Sequence, residues 1–178
     1  MPSSRTNTKS PRTQPSKRIP AYGGIDPGAS GGFALIRGKE VIYEPMPETP
    51  LEIKAALLRM FLDADYILLE KVHSSPQMGV ASAFTFGKGY GGLELGLAFL
   101  EVPHNLVTPQ TWQGGLGIPK ATPHAPQSEH KEKLRATAQR IFPKLPIWDK
   151  PKTLGLQRSI CDALLIAHYC SQMYHLPN

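Results

Sequence analysis

The chain has 178 residues, 40% of them hydrophobic, enough to close one core and too few for two domains of ordinary size. Its formal charge is +6, but five of the 20 basic residues (Arg5, Lys9, Arg12, Lys17, Arg18) and none of the 14 acids lie in Met1–Pro20, which leaves Ala21–Asn178 with 15 basic residues against 14 acidic ones. No apolar run approaches the roughly 18 residues a membrane span needs, and no signal-peptide core opens the chain, so a soluble intracellular protein with no membrane partner is expected.

The Ser, Thr and Pro of residues 1–20 cannot bury enough apolar surface to order themselves, so this stretch is expected to be a disordered basic arm able to touch phosphates weakly. Its lack of acids is compatible with a targeting presequence, although its prolines oppose an amphipathic helix. Cys161 and Cys170 lie nine apart in one expected helix, about 13 Å at 1.5 Å per residue, too far to bridge. They read as buried thiols of a reducing compartment. No CxxC and no clustering of the six histidines points to zinc.

Ala21–Ile25 predicts a strand that stops at Asp26, because Pro27 and Gly28 break the run. The carboxylate then stands at a strand end beside a tight turn. Phe33–Ile36 resumes the apolar run as a hairpin partner, and the glycines of YGGIDPGASGG would let a bulky polyanion approach the backbone; a plain Asp-Pro-Gly surface turn would read the same way. Lys39–Tyr43, after a turn at Gly38, predicts a third strand and an antiparallel meander. Leu51–Leu62 fits an amphipathic helix. Tyr66–Leu69 suits a short strand covered on both faces, and it ends at Glu70.

Ser74–Gly92 mixes small residues, aromatics and a glycine series, and Leu93–Leu100 has helical composition. Two readings stay open. The glycines could begin a helix and expose amides to phosphate, with His73, Phe84, Phe86 and Tyr90 stacking on bases; or they could permit close packing, with the aromatics in the core. Asn105–Val107 predicts a strand, and Thr108-Pro109 a short helix through Trp112. Gly114–Gln127 is expected to be a mobile loop and Ser128 an N-cap, followed by a helix that buries Leu134, Ala138, Ile141 and Phe142 and stops at Pro143. Lys131, Lys133, Arg135 and Arg140 decorate it, the two arginines as a solvated basic face. Pro143–Gln157 reads as irregular. Arg158–Tyr169 reads as the last helix, apolar on nearly every side yet carrying Asp162.

An ionised carboxylate in such a helix costs several kcal/mol unless a cation or strong donors meet it, although an Asp capping the start of the helix would need neither. If Asp26, Glu70 and Asp162 converge, their repulsion must be relieved by protonation or a metal. Oxygen-only ligands suit Mg²⁺ or Mn²⁺. Such ions, paired about 4 Å apart, are the usual equipment for phosphodiester hydrolysis. That chemistry predicts a nuclease.

In this order, GIDPGASGG, LLEKVHSSPQMGVASAFTFGKGYGG, VTPQTW, KEKLRATAQRIFP and CDALLIAHY resemble the RuvC-type Holliday-junction resolvases, especially their phage-like branch, across Tyr22–Tyr169. The resemblance implies an α/β, RNase H-like fold over residues 21–178, with a mixed five-stranded sheet, its first three strands antiparallel, flanked by helices. It also implies a homodimer and a cytoplasmic, bacterial or phage-encoded enzyme of DNA recombination and repair. Two Mg²⁺ per active site, with Mn²⁺ able to substitute, would support paired nicks across a four-way DNA junction that leave 5′-phosphates. The dimer face is expected to include the Gly87–Leu100 helix.

Carried over by position, Asp26 matches the first-strand acid, Glu70 the acid ending the central strand and Asp162 the C-terminal helix acid, all three as metal ligands. Lys131 matches a basic residue that helps neutralise the scissile phosphate. His73 falls where relatives place a residue near junction bases, and Lys71, Lys88 and Lys133 are weaker candidates for DNA backbone contacts. Two departures stand out: Gln157, Arg158 and Ser159 occupy the places where relatives carry a fourth acid or a His, and Gln113 replaces a common basic residue. Ser159 or a water could complete the shell, with Asp149 and His168 as other substitutes. The rival readings are a junction-binding module with weak or no cleavage, a nuclease acting on RNA or other branched DNA, and an actin-like kinase or ATPase, which the chain length disfavours.

Overall fold

The computed structural model describes residues 18–74, 78–120, 126–149 and 154–175. Most of the expected N-terminal arm, residues 121–125 of the expected loop and residues 150–153 of the expected irregular stretch lie outside them. The elements in chain order are β1 (Ala21–Asp26), β2 (Gly32–Arg37), β3 (Glu40–Pro45), α1 (Pro50–Phe61), β4 (Tyr66–Glu70), α2 (Val80–Leu100), β5 (His104–Val107), α3 (Pro109–Gly115), α4 (Gln127–Ile141), a 3-10 turn (Pro146–Asp149) and α5 (Leu154–Met173). They form one mixed five-stranded sheet in the order β3-β2-β1-β4-β5, in which β1, β2 and β3 are antiparallel while β4 and β5 run parallel to β1.

Strand alternation divides the core into two. Ala21, Ile25, Phe33, Leu35, Ile67 and Leu69 pack on α1 and α2, and Phe33 meets Phe61 edge to face at 5.7 Å. Tyr22, Ala34, Ile36 and Leu68 point the other way, toward α3, α4 and α5. A capping box starts α1 after the meander: Thr49 Oγ1 accepts from the Glu52 amide, the Glu52 carboxylate accepts from the Thr49 amide, and Pro50 opens the helix. The Thr49 hydroxyl, which donates to the Glu52 carboxylate at 2.8 Å, and then the Thr49 amide hold the Glu52 carboxyl below its ordinary value. Arg18, at the junction with the N-terminal arm, is tied down by Asp65 at 2.7 Å.

Two glycines decide how close the layers come. A Cβ on Gly24 would lie 2.3 Å from the Ala167 amide nitrogen and 2.4 Å from the Ala163 carbonyl oxygen, so α5 rests directly on the β1 backbone. A Cβ on Gly32 would lie 2.7 Å from the Glu44 carbonyl oxygen and 3.2 Å from that of Ser159. The buried run Ala163–Ala167 on α5 follows from this contact.

Several expectations are corrected. The glycine series is helix interior and does not begin a phosphate-binding turn: α2 starts at Val80, and Gly87, Gly89, Gly91 and Gly92 would each meet nothing within 4 Å if given a Cβ. Close packing is not their reason either, except at Gly96, whose Cβ would press on Leu57 at 2.6 Å. Phe84 is 73% exposed and not core, and only Leu93 and Leu97 of α2 are buried. Helix α4 begins at Gln127 with Pro126 in the N-cap position, which places Ser128 inside its first turn. Helix α5 begins at Leu154, so Asp162 sits in its third turn and caps nothing. Among the described residues, no helix is long and apolar enough to cross a membrane.

Replacing Gly24 with Ala should destabilise the fold by more than about 3 kcal/mol, because the obstruction is helix backbone and not a movable side chain. Urea unfolding of G24A measures this; a loss under 1 kcal/mol would show that α5 does not rest on β1 in the way described.

Candidate active site

The acid-bearing ends follow from register. Strands β1 and β4 pair in parallel with Ile25 opposite Leu69, so Asp26 and Glu70 are the next residues at the same sheet end. Period two turns both toward α5, because Gly24 and Leu68, two residues earlier, face that side. On α5, Ala163 lies against Gly24 while Ser159 lies beside Gly32, the partner of Asp26 in the hairpin. Asp162 therefore projects over the end of β1. Glu70 is 8% exposed, whereas Asp26 and Asp162 keep a partly open edge.

The three carboxylates act on one another's proton affinity. Burial, then the charges of Asp162 and Glu70, push the Asp26 carboxyl well above its ordinary value, with Lys131 opposing. Asp162 is pushed up to about 7 by burial and then by Glu70, again opposed by Lys131. Glu70 is raised by burial, against hydrogen bonds from Trp112 and Asp26. The bond between Asp26 and Glu70 raises the first and lowers the second. Among the described residues, no three His, Cys, Asp or Glu side chains are already closed into a set that would hold a metal ion. The donors nevertheless fit one chemically: all are carboxylate oxygens, and their mutual repulsion is what a hard divalent cation would relieve.

Trp112 is the residue that sequence reasoning missed. It is fully buried in α3, and its indole N–H donates to Glu70 Oε1 at 2.8 Å. Thr108 caps this short helix by accepting from the Thr111 amide, and Pro109 opens it. The clue lay in VTPQTW: a buried tryptophan needs an acceptor for its N–H, and Val107 pairs with Glu70 on the neighbouring strand.

Lys131, in the first turns of α4, is the cation whose charge acts on Asp26 and Asp162. Lys71 directly follows Glu70 and is exposed, as is His73. Lys133 points into an ion pair with Glu129 at 2.7 Å. Lys88 is not at the acid cluster; it lines a groove of about 630 Å³ between α1 and α2 in the opposite layer. The fourth-acid places are engaged elsewhere: Ser159 Oγ donates to the Gly155 carbonyl at 3.0 Å, Gln157 is buried with its amide donating to the Ile147 carbonyl at 2.8 Å, and Arg158 is exposed. His168 does not substitute, since its ring packs on Phe142 and contacts Gln172, and burial and Arg140 lower its proton affinity. Asp149 is exposed in the 3-10 turn, and Gln113 is half-buried in α3.

No protein-family model matches the chain, and no curated protein matches it by sequence. In three dimensions it is similar to RuvC of T. thermophilus in complex with a Holliday junction substrate, with a TM-score of 0.53 and 18% identity over 87% of this chain and 96% of that one. A second structure of Thermus thermophilus RuvC gives a TM-score of 0.50 and 19% identity over 86% of this chain and 96% of that one. The likeness defines the class of architecture: an RNase H-like α/β fold whose mixed sheet has its first three strands antiparallel.

Because Asp162 titrates near 7 in the folded chain against 3.8 when unfolded, the native state binds the extra proton between those values. Its contribution is therefore present at low pH and lost as the pH rises through about 7. In metal-free protein, the melting temperature of D162N should gain on the wild type steadily from pH 5 to pH 8, by thermal scans; a constant difference would deny the raised affinity. W112F keeps the ring but leaves Glu70 without its donor, and should lose about 1–3 kcal/mol in urea unfolding. An unchanged midpoint would show that the contact carries no weight.

Proposed function

We propose that this protein is a metal-dependent, structure-selective DNA endonuclease that resolves four-way junctions by paired hydrolytic nicks. The observation that carries the reading is the convergence of Asp26, Glu70 and Asp162, with Lys131 opposite, at one end of an RNase H-like sheet. The similarity to a protein described in complex with a Holliday junction supports the choice of substrate. In this reading Asp26, Glu70 and Asp162 hold Mg²⁺, two ions per site, with Mn²⁺ able to replace it. When bound, such ions supply an activated water and stabilise the expelled 3′ oxygen. Lys131 neutralises the scissile phosphate, Trp112 keeps Glu70 aimed at the site, and Lys71, His73 and Lys133 contact the DNA. Lys88, one layer away, suits the backbone of a junction arm.

Each protomer carries one acid cluster, so two matched nicks require a two-fold pair. The exposed apolar stripe of α2 suits that role: Val80, Phe84, Leu95 and Phe99 are 88%, 73%, 58% and 80% exposed. A second reading, a junction binder with weak or no cleavage, draws on the fourth-acid places, where Gln157 and Ser159 make bonds within the protein.

A nicking assay on a synthetic four-way junction separates the two. Mg²⁺-dependent nicks with 5′-phosphates are expected from the wild type and none from D26N, with junction binding retained in the variant. Binding without nicks in either Mg²⁺ or Mn²⁺ would leave only the second reading.

A further inference from the structure

We propose that Gln157 and Arg135 form a strut that sets Lys131 against Asp162, making both of them positioning residues for the cleavage site. Gln157 is only 4% exposed, although its amide is polar. Its Nε2 donates to the Ile147 carbonyl at 2.8 Å in the 3-10 turn, and its Oε1 accepts from Arg135 Nη1 at 3.4 Å on α4. The Ile147 backbone is itself bonded by Tyr43 of β3, so the amide joins α5 to the sheet edge as well as to α4. A buried amide with its donor and acceptor ends on different elements fixes their spacing, because either end left unpaired would be penalised.

Arg135 is held for this task and is not a solvated surface charge. Its Nε donates to both carboxylate oxygens of Glu132, at 2.9 and 3.0 Å, and its Nη1 also donates to Gln139 Oε1 at 3.2 Å. Its side chain is 22% exposed. The fork is therefore rigid where it meets Gln157. One turn earlier on α4 stands Lys131, and five residues later on α5 stands Asp162. The strut thus locks together the two helices that carry Lys131 and Asp162. Leu134 and Ala138 of α4 pack with Cys161 and Leu165 of α5 in the same interface, which leaves the helices little freedom to slide once the amide is in place.

The inference rests on reading the acids as a cleavage site, and the test is arranged to separate the two. Q157L keeps the side-chain bulk and loses both bonds; R135M cuts the same strut from α4 and serves if Q157L fails to fold. In the nicking assay, well below the melting temperature, either variant should be slower by about ten- to a hundred-fold with junction affinity unchanged. K131M should add little further loss in either background. A second cycle needs no DNA: at pH 8, K131M should lower the melting temperature of the wild type and shift that of Q157L or R135M by less than half as much, while K133M shifts all backgrounds equally. Additive effects of K131M and the strut variants would overturn the proposal. If the wild type makes no nicks, the nuclease reading falls and the melting-temperature cycle still decides the strut.

Discussion

Helix α5 can bring a carboxylate to the end of β1 only because Gly24 puts no side chain between them. With the Ala163 and Ala167 backbone against the strand, Asp162 comes over the turn that carries Asp26. The turn is just as tight: a Cβ on Gly31 would lie 2.0 Å from the Asp26 carbonyl oxygen, and Gly28 takes a φ of 112° that suits glycine. The glycines of the opening motif thus act by removing bulk where three layers of backbone converge. Both apolar half-cores hold that convergence in place.

The result is a site that works against the stability of its own fold. Three carboxylates partly removed from water repel one another, and Trp112 and Lys131 are the groups that oppose the resulting rise in proton affinity. Such an arrangement is unfavourable as structure and useful as chemistry, because a divalent cation relieves all three acids at once. In the proposed reading, bound cations would also reverse the sign of the site toward nucleic acid: the bare acids repel a phosphate, whereas the acids with cations and Lys131 would attract one.

What was legible in the sequence was whatever a local pattern encodes. Alternation and apolar runs marked the strands, proline and glycine marked the turn after Asp26, and a charge inside the apolar run of α5 marked Asp162. Local signals misled where solvent, and not packing, surrounds an element: the glycines of α2 read as a phosphate-binding helix start or as close-packing positions, yet the helix runs through them, anchored by Leu93 and Leu97 and ended by Glu101 in the left-handed conformation with a φ of 55°. The bond from Trp112 to Glu70 spans 42 positions and that from Arg135 to Gln157 spans 22, distances over which no spacing rule operates. Arg135 read as a solvated charge for that reason, since its acceptor on α5 lies beyond any helical repeat.

The proposal that Asp26, Glu70 and Asp162 together grip a divalent cation is most directly tested by anomalous diffraction from crystals soaked in Mn²⁺. Density bounded by carboxylate oxygens of all three residues is the expected result. Manganese bound elsewhere, or no site touching all three at a concentration that supports nicking, would contradict it.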